Sequence, residues 1–270
     1  MDILEWKELT SFSDMCRSKD MDLLPVEIKV NVEGDVPGAL TALDGSHGAL
    51  MMRRIWFAED RDGVAEGRVP LLEGGVIVRF RAGGGPDDLV VKLRPTTREK
   101  LVGRFSDAFE VKPVTYKIEE DWSRNTRVLA ASLTRVHPPG ALAVAVEDGG
   151  DPAAPIDALQ DQFLHACAPT VHIDGLVALG PIVSMKIGDV PLDDLEVDLE
   201  VWSAAGMEFL EVSTRVKPKH GDDAEELRER AERKLRKLEE AVLDRGVMLS
   251  GHPDSKTSRV LTALAQAAHV

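Results

Sequence analysis

Residues 76–94 read VIVRFRAGGGPDDLVVKLR, and the alternation within them decides the fold. Val76, Val78 and Phe80 share one phase, while Ile77, Arg79 and Arg81 share the other, because successive side chains of an extended chain point to opposite faces. The stretch Gly83-Gly84-Gly85-Pro86-Asp87-Asp88 then turns the chain. In the returning strand Leu89, Val91 and Leu93 form the apolar face, and Val90, Lys92 and Arg94 continue the basic one. Two adjacent strands thus aim cations to one side.

The same period of two runs outward from this hairpin, from Pro25 to Lys217. In VEIKVNV (26–32), Val26, Ile28, Val30 and Val32 oppose Glu27, Lys29, Asn31 and Glu33 at its end. In YKIEED (116–121), Lys117, Glu119 and Asp121 oppose Tyr116 and Ile118, and VLAASLTRV (128–136) continues the sheet. PIVSMKIGD (181–189), LEVDLEVW (195–202) and MEFLEVSTRV (207–216) place Lys186, then Glu196, Asp198 and Glu200, then Glu211, Ser213 and Arg215 opposite aliphatic faces. Residues 138–156, rich in Gly, Pro, Ala and Asp, read as a surface loop.

Helical signal sits mainly at the ends. From Asp222 to Arg245 the period changes, with Ala224, Leu227, Ala231, Leu235, Leu238 and Val242 forming a narrow apolar stripe that Gly246 stops. Further helices are expected over IDALQDQFLHAC (156–167), around Ser258 to Ala267, and over LEWKELTSFSDMC (4–16). The chain reads as one domain over residues 1–270, with strands over about 25–217 and C-terminal helices over about 222–268.

The 270 residues carry 33 Lys+Arg against 47 Asp+Glu, a net charge of −14, which argues against nucleic-acid partners. At 43% hydrophobic the chain can build a sizeable core. No apolar run approaches the ~20 residues that span a bilayer, and MDILEWKEL lacks a secretory pattern, so a cytoplasmic protein without a membrane partner is expected. Cys16 and Cys167 lack metal or disulfide spacing, the histidines are scattered, and the four tryptophans read as packing residues.

One group of strands concentrates Lys29, Arg79, Arg81 and Lys92, and another concentrates Glu119, Glu200 and Glu211. Charged faces of this kind either meet water or line a tunnel. Segregated cations and carboxylates inside a barrel suit a polyanion with a divalent metal, since guanidinium and ammonium groups hold phosphate oxygens and carboxylates hold hard cations. A barrel holding an uncharged ligand fits poorly, because unpaired buried charges are expensive.

The order of these motifs resembles the CYTH superfamily of triphosphate tunnel metalloenzymes, which includes thiamine triphosphatases, inorganic triphosphatases and class IV adenylyl cyclases. The family's opening Glu-x-Glu-x-Lys strand is similar to Pro25-Val26-Glu27-Ile28-Lys29, and its aromatic strand resembles Arg54–Asp60 (RIWFAED). Its Arg-x-Arg strand and following Leu-Thr-x-Lys strand resemble Val78-Arg79-Phe80-Arg81 and Leu89-Val90-Val91-Lys92. Later positions fall on Glu119, Lys186, Glu200 or Asp198, on Phe209–Ser213 (FLEVS), and on Lys256. Pro25 and Ser213 stand where the family has carboxylates.

The resemblance implies an α+β fold, an eight-stranded antiparallel barrel enclosing a tunnel, with helices packed outside. It implies that Lys29, Arg79, Arg81 and Lys92, with Lys186 and Lys256, bind phosphates. Glu27, Glu119, Asp198, Glu200 and Glu211 would hold Mg²⁺ or Mn²⁺, and Lys29, Arg79, Arg81 and Glu211 would carry catalysis. The implied activity is metal-dependent hydrolysis of a triphosphate, inorganic or organic. The alternative, carried by Pro25 and Ser213, is a module that binds a phosphorylated ligand or polyphosphate without turnover.

Overall fold

The computed structural model describes residues 23–45, 48–124, 126–147, 149–252 and 254–269. The helix expected over residues 4–16, and Cys16 with it, lies outside them. Ten strands alternate with short helices: β1 (Val26–Val32), α1 (Val36–Ala42), β2 (Ala49–Asp60), α2 (Arg61–Ala65), α3 (Pro70–Glu73), β3 (Val76–Ala82) and β4 (Asp87–Leu93). There follow β5 (Phe109–Val111), β6 (Val114–Ser123), β7 (Thr126–His137), α4 (Ala143–Val146), α5 (Ala158–Cys167), β8 (Leu176–Leu192), β9 (Leu195–Ala204), β10 (Met207–Val216), α6 (Ala224–Asp244) and α7 (Lys256–His269).

The strands form one sheet in the order β1-β10-β9-β8-β2-β3-β4-β7-β6-β5, and β1 also pairs with β6. That last pairing closes nine strands into a barrel and leaves β5 at the margin on β6. The expected eight-stranded antiparallel barrel is therefore corrected to nine strands with one parallel seam. The two differences have a single cause. A ring of strictly alternating strands must contain an even number, so a ring of nine needs a parallel contact. It lies at β1–β6, where Glu27 sits opposite Asp121 and Ile28 opposite Trp122; every other pair in the ring is antiparallel.

Strand phase divides the barrel as expected. Val76, Val78, Phe80, Leu89 and Val91 face outward and pack with Phe163 and Leu164 of α5. Ile28 and Val30 of β1, Leu210 and Val212 of β10, and Leu199 of β9 pack with the α6 stripe of Leu227, Ala231, Leu235, Leu238 and Val242. Burying those apolar faces is the main stabilising term, and it leaves the charged phase pointing inward. The connection between β7 and β8 is pinned by two polar anchors. Asp157 and Gln160 form a reciprocal cap at the start of α5, and buried Gln160 also donates to the Leu89 carbonyl at 3.1 Å. Within 138–156, Leu142 is buried and its N–H donates to the Asp87 carboxylate at 3.1 Å, so this segment folds down against the barrel instead of forming a free surface loop.

The α6 helix matches its sequence pattern, with Asp223 and Glu226 capping its start and Gly246 at φ +73° just past its end. The last helix begins at Lys256, two positions before Ser258, and that placement brings Lys256 to the mouth of the barrel interior. Among the described residues no helix is long and apolar enough to cross a membrane.

Candidate functional site

The inward phase encloses a cavity of about 160 Å³. Its walls carry Lys29 from β1, Arg79 from β3, Lys92 from β4 with Arg94 just past its end, Asp121 from β6, Glu200 and Trp202 from β9, and Glu211 from β10. The 252–257 segment supplies His252, Asp254, Ser255 and Lys256 at one side, and Phe57, Ile77 and Val90 give the wall its apolar part. Phe57 and Ile77 belong with Trp202, Val260 and Leu261 to one buried apolar cluster, which ties the start of α7 to the cavity wall.

Two charge clusters fill the interior. In the first, the parallel seam sets Glu27 beside Asp121, and Glu119 lies two residues earlier on the same face of β6. Ligand oxygens of these three carboxylates all lie within 4.8 Å of one another. Lysines sit among them: Lys29 Nζ is 2.6 Å from Glu27 Oε2 and 3.2 Å from Asp121 Oδ1, and Lys92 Nζ is 2.6 Å from Asp121 Oδ2. Arg215 closes the outer side at 3.0 Å from Glu27 Oε1 and 3.9 Å from Glu119 Oε2.

In the second cluster Lys256, only 4% exposed, lies 2.8 Å from Glu200 Oε2 and 3.5 Å from Glu211 Oε1, with Nζ 4.1 Å from the centre of the Trp202 ring. Ser184 Oγ donates to the other Glu200 oxygen at 2.9 Å. Cations and carboxylates are thus interleaved, not segregated, and each offsets the cost of burying the other. The pairing is incomplete. Among the described residues, Arg79 Nε, Arg94 Nε and Asn31 Oδ1 are buried in the cavity wall without hydrogen-bond partners. Buried polar atoms of this kind cost free energy unless a ligand satisfies them.

Several residues singled out from the sequence stand elsewhere. Arg81 shares the inward phase, but its Nε donates to Asp88 Oδ1 at 2.8 Å, and Asp88 also accepts from Arg53 at 2.6 Å. Lys186 and Asp198 pair with each other at 2.7 Å, with side chains 46% and 37% exposed. Arg81, this pair, Glu27 and Glu119 do not line the cavity. Glu27 and Glu119 meet each other, Glu200 and Glu211 meet through Lys256, and the two sets belong to different clusters. Asp121, Arg94, Arg215, Trp202 and His252 join the site without having been singled out for it. For Asp121, Arg94 and Trp202 the signal was present, since each lies two residues from a residue that was, in the same strand phase.

The charges shift one another. Burial disfavours the Lys29 ammonium, but Glu27, Asp121 and Glu211 outweigh that and raise its pKa. Burial likewise opposes ionisation of Asp121, Glu27 and Glu200, and their lysine and arginine partners outweigh it, so all three are held below the usual carboxylate range. Glu119 moves up through burial, with Glu27 and Asp121 adding repulsion. Burial, then Lys29, lowers Lys92. Arg79 is brought down to about 10 by burial and by Arg81.

A pH dependence of stability follows. Depressed carboxylate pKa values favour the folded state at pH above the unfolded values of about 4, and this contribution is lost as pH falls through the folded values. The raised Lys29 pKa favours folding below about 10.4 and loses its effect on the alkaline side. Glu119 acts in the opposite sense, so Glu119→Gln is expected to relieve the metal-free protein. Melting temperature should fall steadily from about pH 5 to pH 3 in wild type, and at pH 7 should be higher in Glu119→Gln than in wild type. A melt series across pH checks both.

The residues present suit a hard divalent cation. Three carboxylates from two adjoining strands converge with oxygens within 4.8 Å, an all-oxygen set of the kind Mg²⁺ and Mn²⁺ take, and the Glu119 oxygens are the least compensated of the group.

No protein-family model and no curated protein sequence matches the chain. Solved structures do. A Hippeastrum protein, HpAC1, named as an adenylyl cyclase with a dominant triphosphatase activity, superposes with a TM-score of 0.53 at 14% identity, over 87% of this chain and 94% of its own. A protein from Bacillus halodurans named as an adenylate cyclase gives a TM-score of 0.53 at 12% identity, over 88% and 98%. At this identity the likeness is one of fold alone.

Proposed function

We propose that the protein binds a triphosphate inside its barrel and hydrolyses the terminal phosphoanhydride with the help of a divalent cation. The observation that carries this reading is the set of buried, unsatisfied cationic donors, Arg79 Nε and Arg94 Nε, on the wall of a cavity that also holds Lys29, Lys92 and Lys256. A chain of phosphates offers many acceptor oxygens along an extended path, and arginine forks and lysine ammonium groups match it. A cavity of about 160 Å³ suits the phosphate chain alone and leaves any organic substituent outside. The dominant triphosphatase activity named for the Hippeastrum protein supports the reading.

Glu27, Glu119 and Asp121 would hold the cation, which when bound neutralises phosphate oxygens and favours attack by water. Arg79 and Arg94 satisfy equatorial phosphate oxygens and offset charge that develops on the transferred phosphoryl group. Lys92 and Lys29, released from Asp121, reach the same oxygens. Lys256 is held by Glu200 and Glu211 and borders the chain at the loop side. Trp202 and Phe57 limit water on that wall. A carboxylate oxygen of Glu119 takes the water's proton as the P–O bond to the leaving diphosphate breaks.

The test is phosphate release from tripolyphosphate, ATP and thiamine triphosphate with Mg²⁺ or Mn²⁺, with Glu119→Gln as the control. Turnover of at least one, reduced ~10²-fold or more in the control, is expected. Binding without turnover of any would favour the second reading, a phosphate-binding module. The observations behind that reading are Pro25 and Ser213 at carboxylate positions of the motif and the lysine pairing already made by Glu27 and Asp121.

A further inference from the structure

The three carboxylates that suit a cation are not open to one. Lys29 Nζ lies within 3.2 Å of both Glu27 and Asp121, and Lys92 Nζ lies 2.6 Å from the second Asp121 oxygen. An ammonium thus stands among the oxygens where a metal would sit, at 2.0–2.6 Å from the same atoms. A divalent ion entering beside it would face a like charge a few ångströms away in a half-buried wall, where screening is weak. The same two lysines border the cavity in which Arg79 and Arg94 hold unsatisfied donors. Their side chains are flexible, and a polyanion in the cavity gives them an alternative partner.

We propose that Lys29 and Lys92 gate the cation site: in the free protein they occupy the Glu27–Glu119–Asp121 carboxylates, and an oxyanion in the cavity draws them off and opens the site to metal. Phosphate chain and cation then bind cooperatively, each raising the affinity of the other by the same factor, as linkage requires. The gate keeps the Glu27 and Asp121 carboxylates paired in the ligand-free protein and restricts metal loading to the substrate-bound state. It rests on the triphosphate-binding reading above.

Mn²⁺ titrated into the protein and followed by its electron paramagnetic resonance reads the gate without turnover. Sulfate is the oxyanion probe, since it chelates Mn²⁺ weakly, with chloride at matched ionic strength as control. Sulfate is expected to raise Mn²⁺ affinity about tenfold, within the usual range of coupling between sites. Lys29→Met should bind Mn²⁺ more tightly than wild type without sulfate and respond little to it, and Lys92→Met should shift in the same direction. Wild-type Mn²⁺ affinity that is equal in sulfate and chloride overturns the gate, whether or not the variants fold. A parallel melt with metal-free tripolyphosphate separates the two claims. Stabilisation by tripolyphosphate with no sulfate effect on Mn²⁺ leaves the tunnel reading standing and removes the gate, while no stabilisation removes both.

Discussion

Replacing Arg79 by methionine is expected to make the ligand-free protein more stable and to cut its activity sharply. Arg79 lies in the cavity wall with Nε unpartnered, and burial together with Arg81 lowers its pKa to about 10, so the folded state carries a charge it does not fully compensate. Methionine fills similar volume without that charge, and removing a buried donor that lacks a partner is expected to stabilise by about 1 kcal/mol or more. For a chain of this size that corresponds to a rise of roughly 2–4 °C in melting temperature. Phosphate release should fall by ~10²–10³, the usual cost of removing one preorganised donor to a transition-state oxyanion. A melt and a release assay on the same preparation read both effects. Stability that falls while activity persists would place Arg79 among structural residues.

Lys256→Met should have the largest effect on stability of any single change in the barrel interior. Its ammonium is 4% exposed and compensates Glu200 and Glu211 together, over the face of Trp202. Removing it leaves two half-buried carboxylates facing each other, a loss of about 3 kcal/mol for a broken buried pair. That is a fall of roughly 6–12 °C in melting temperature. Glu200→Gln in the same chain should recover more than half of the loss, because the amide oxygen still accepts from Ser184 while the charge is gone. A single variant that melts like wild type, or a double variant no better than the single, would show that the cluster contributes little.

Alternation alone made the barrel faces legible: Val76, Val78 and Phe80 had to be buried against helices, which left Arg79 inward, and the same logic placed Lys29, Lys92, Glu200 and Glu211. Phase, however, gives a side chain's face and not its partner or exposure. Lys186 stands directly opposite Glu200 in the ladder, yet it pairs with Asp198, and their side chains stay 46% and 37% exposed. Arg81 was diverted by Asp88, which the sequence places in a turn but which the structure places in β4, directly opposite Arg81. Asp121 gained its role from the parallel β1–β6 seam, a contact between segments 94 residues apart at Glu27 and Asp121 that no local pattern encodes. Lys256 depended on where the last helix begins, the kind of boundary that periodicity resolves least well.

Calorimetric titration of tripolyphosphate into metal-free wild type and Arg79→Met, side by side at moderate salt, tests most directly that the barrel interior is a triphosphate site. One molecule per chain is expected to bind wild type, with affinity weakened by added salt and reduced at least tenfold in the variant. Absence of binding to wild type at millimolar tripolyphosphate, or equal binding to both proteins, would contradict it.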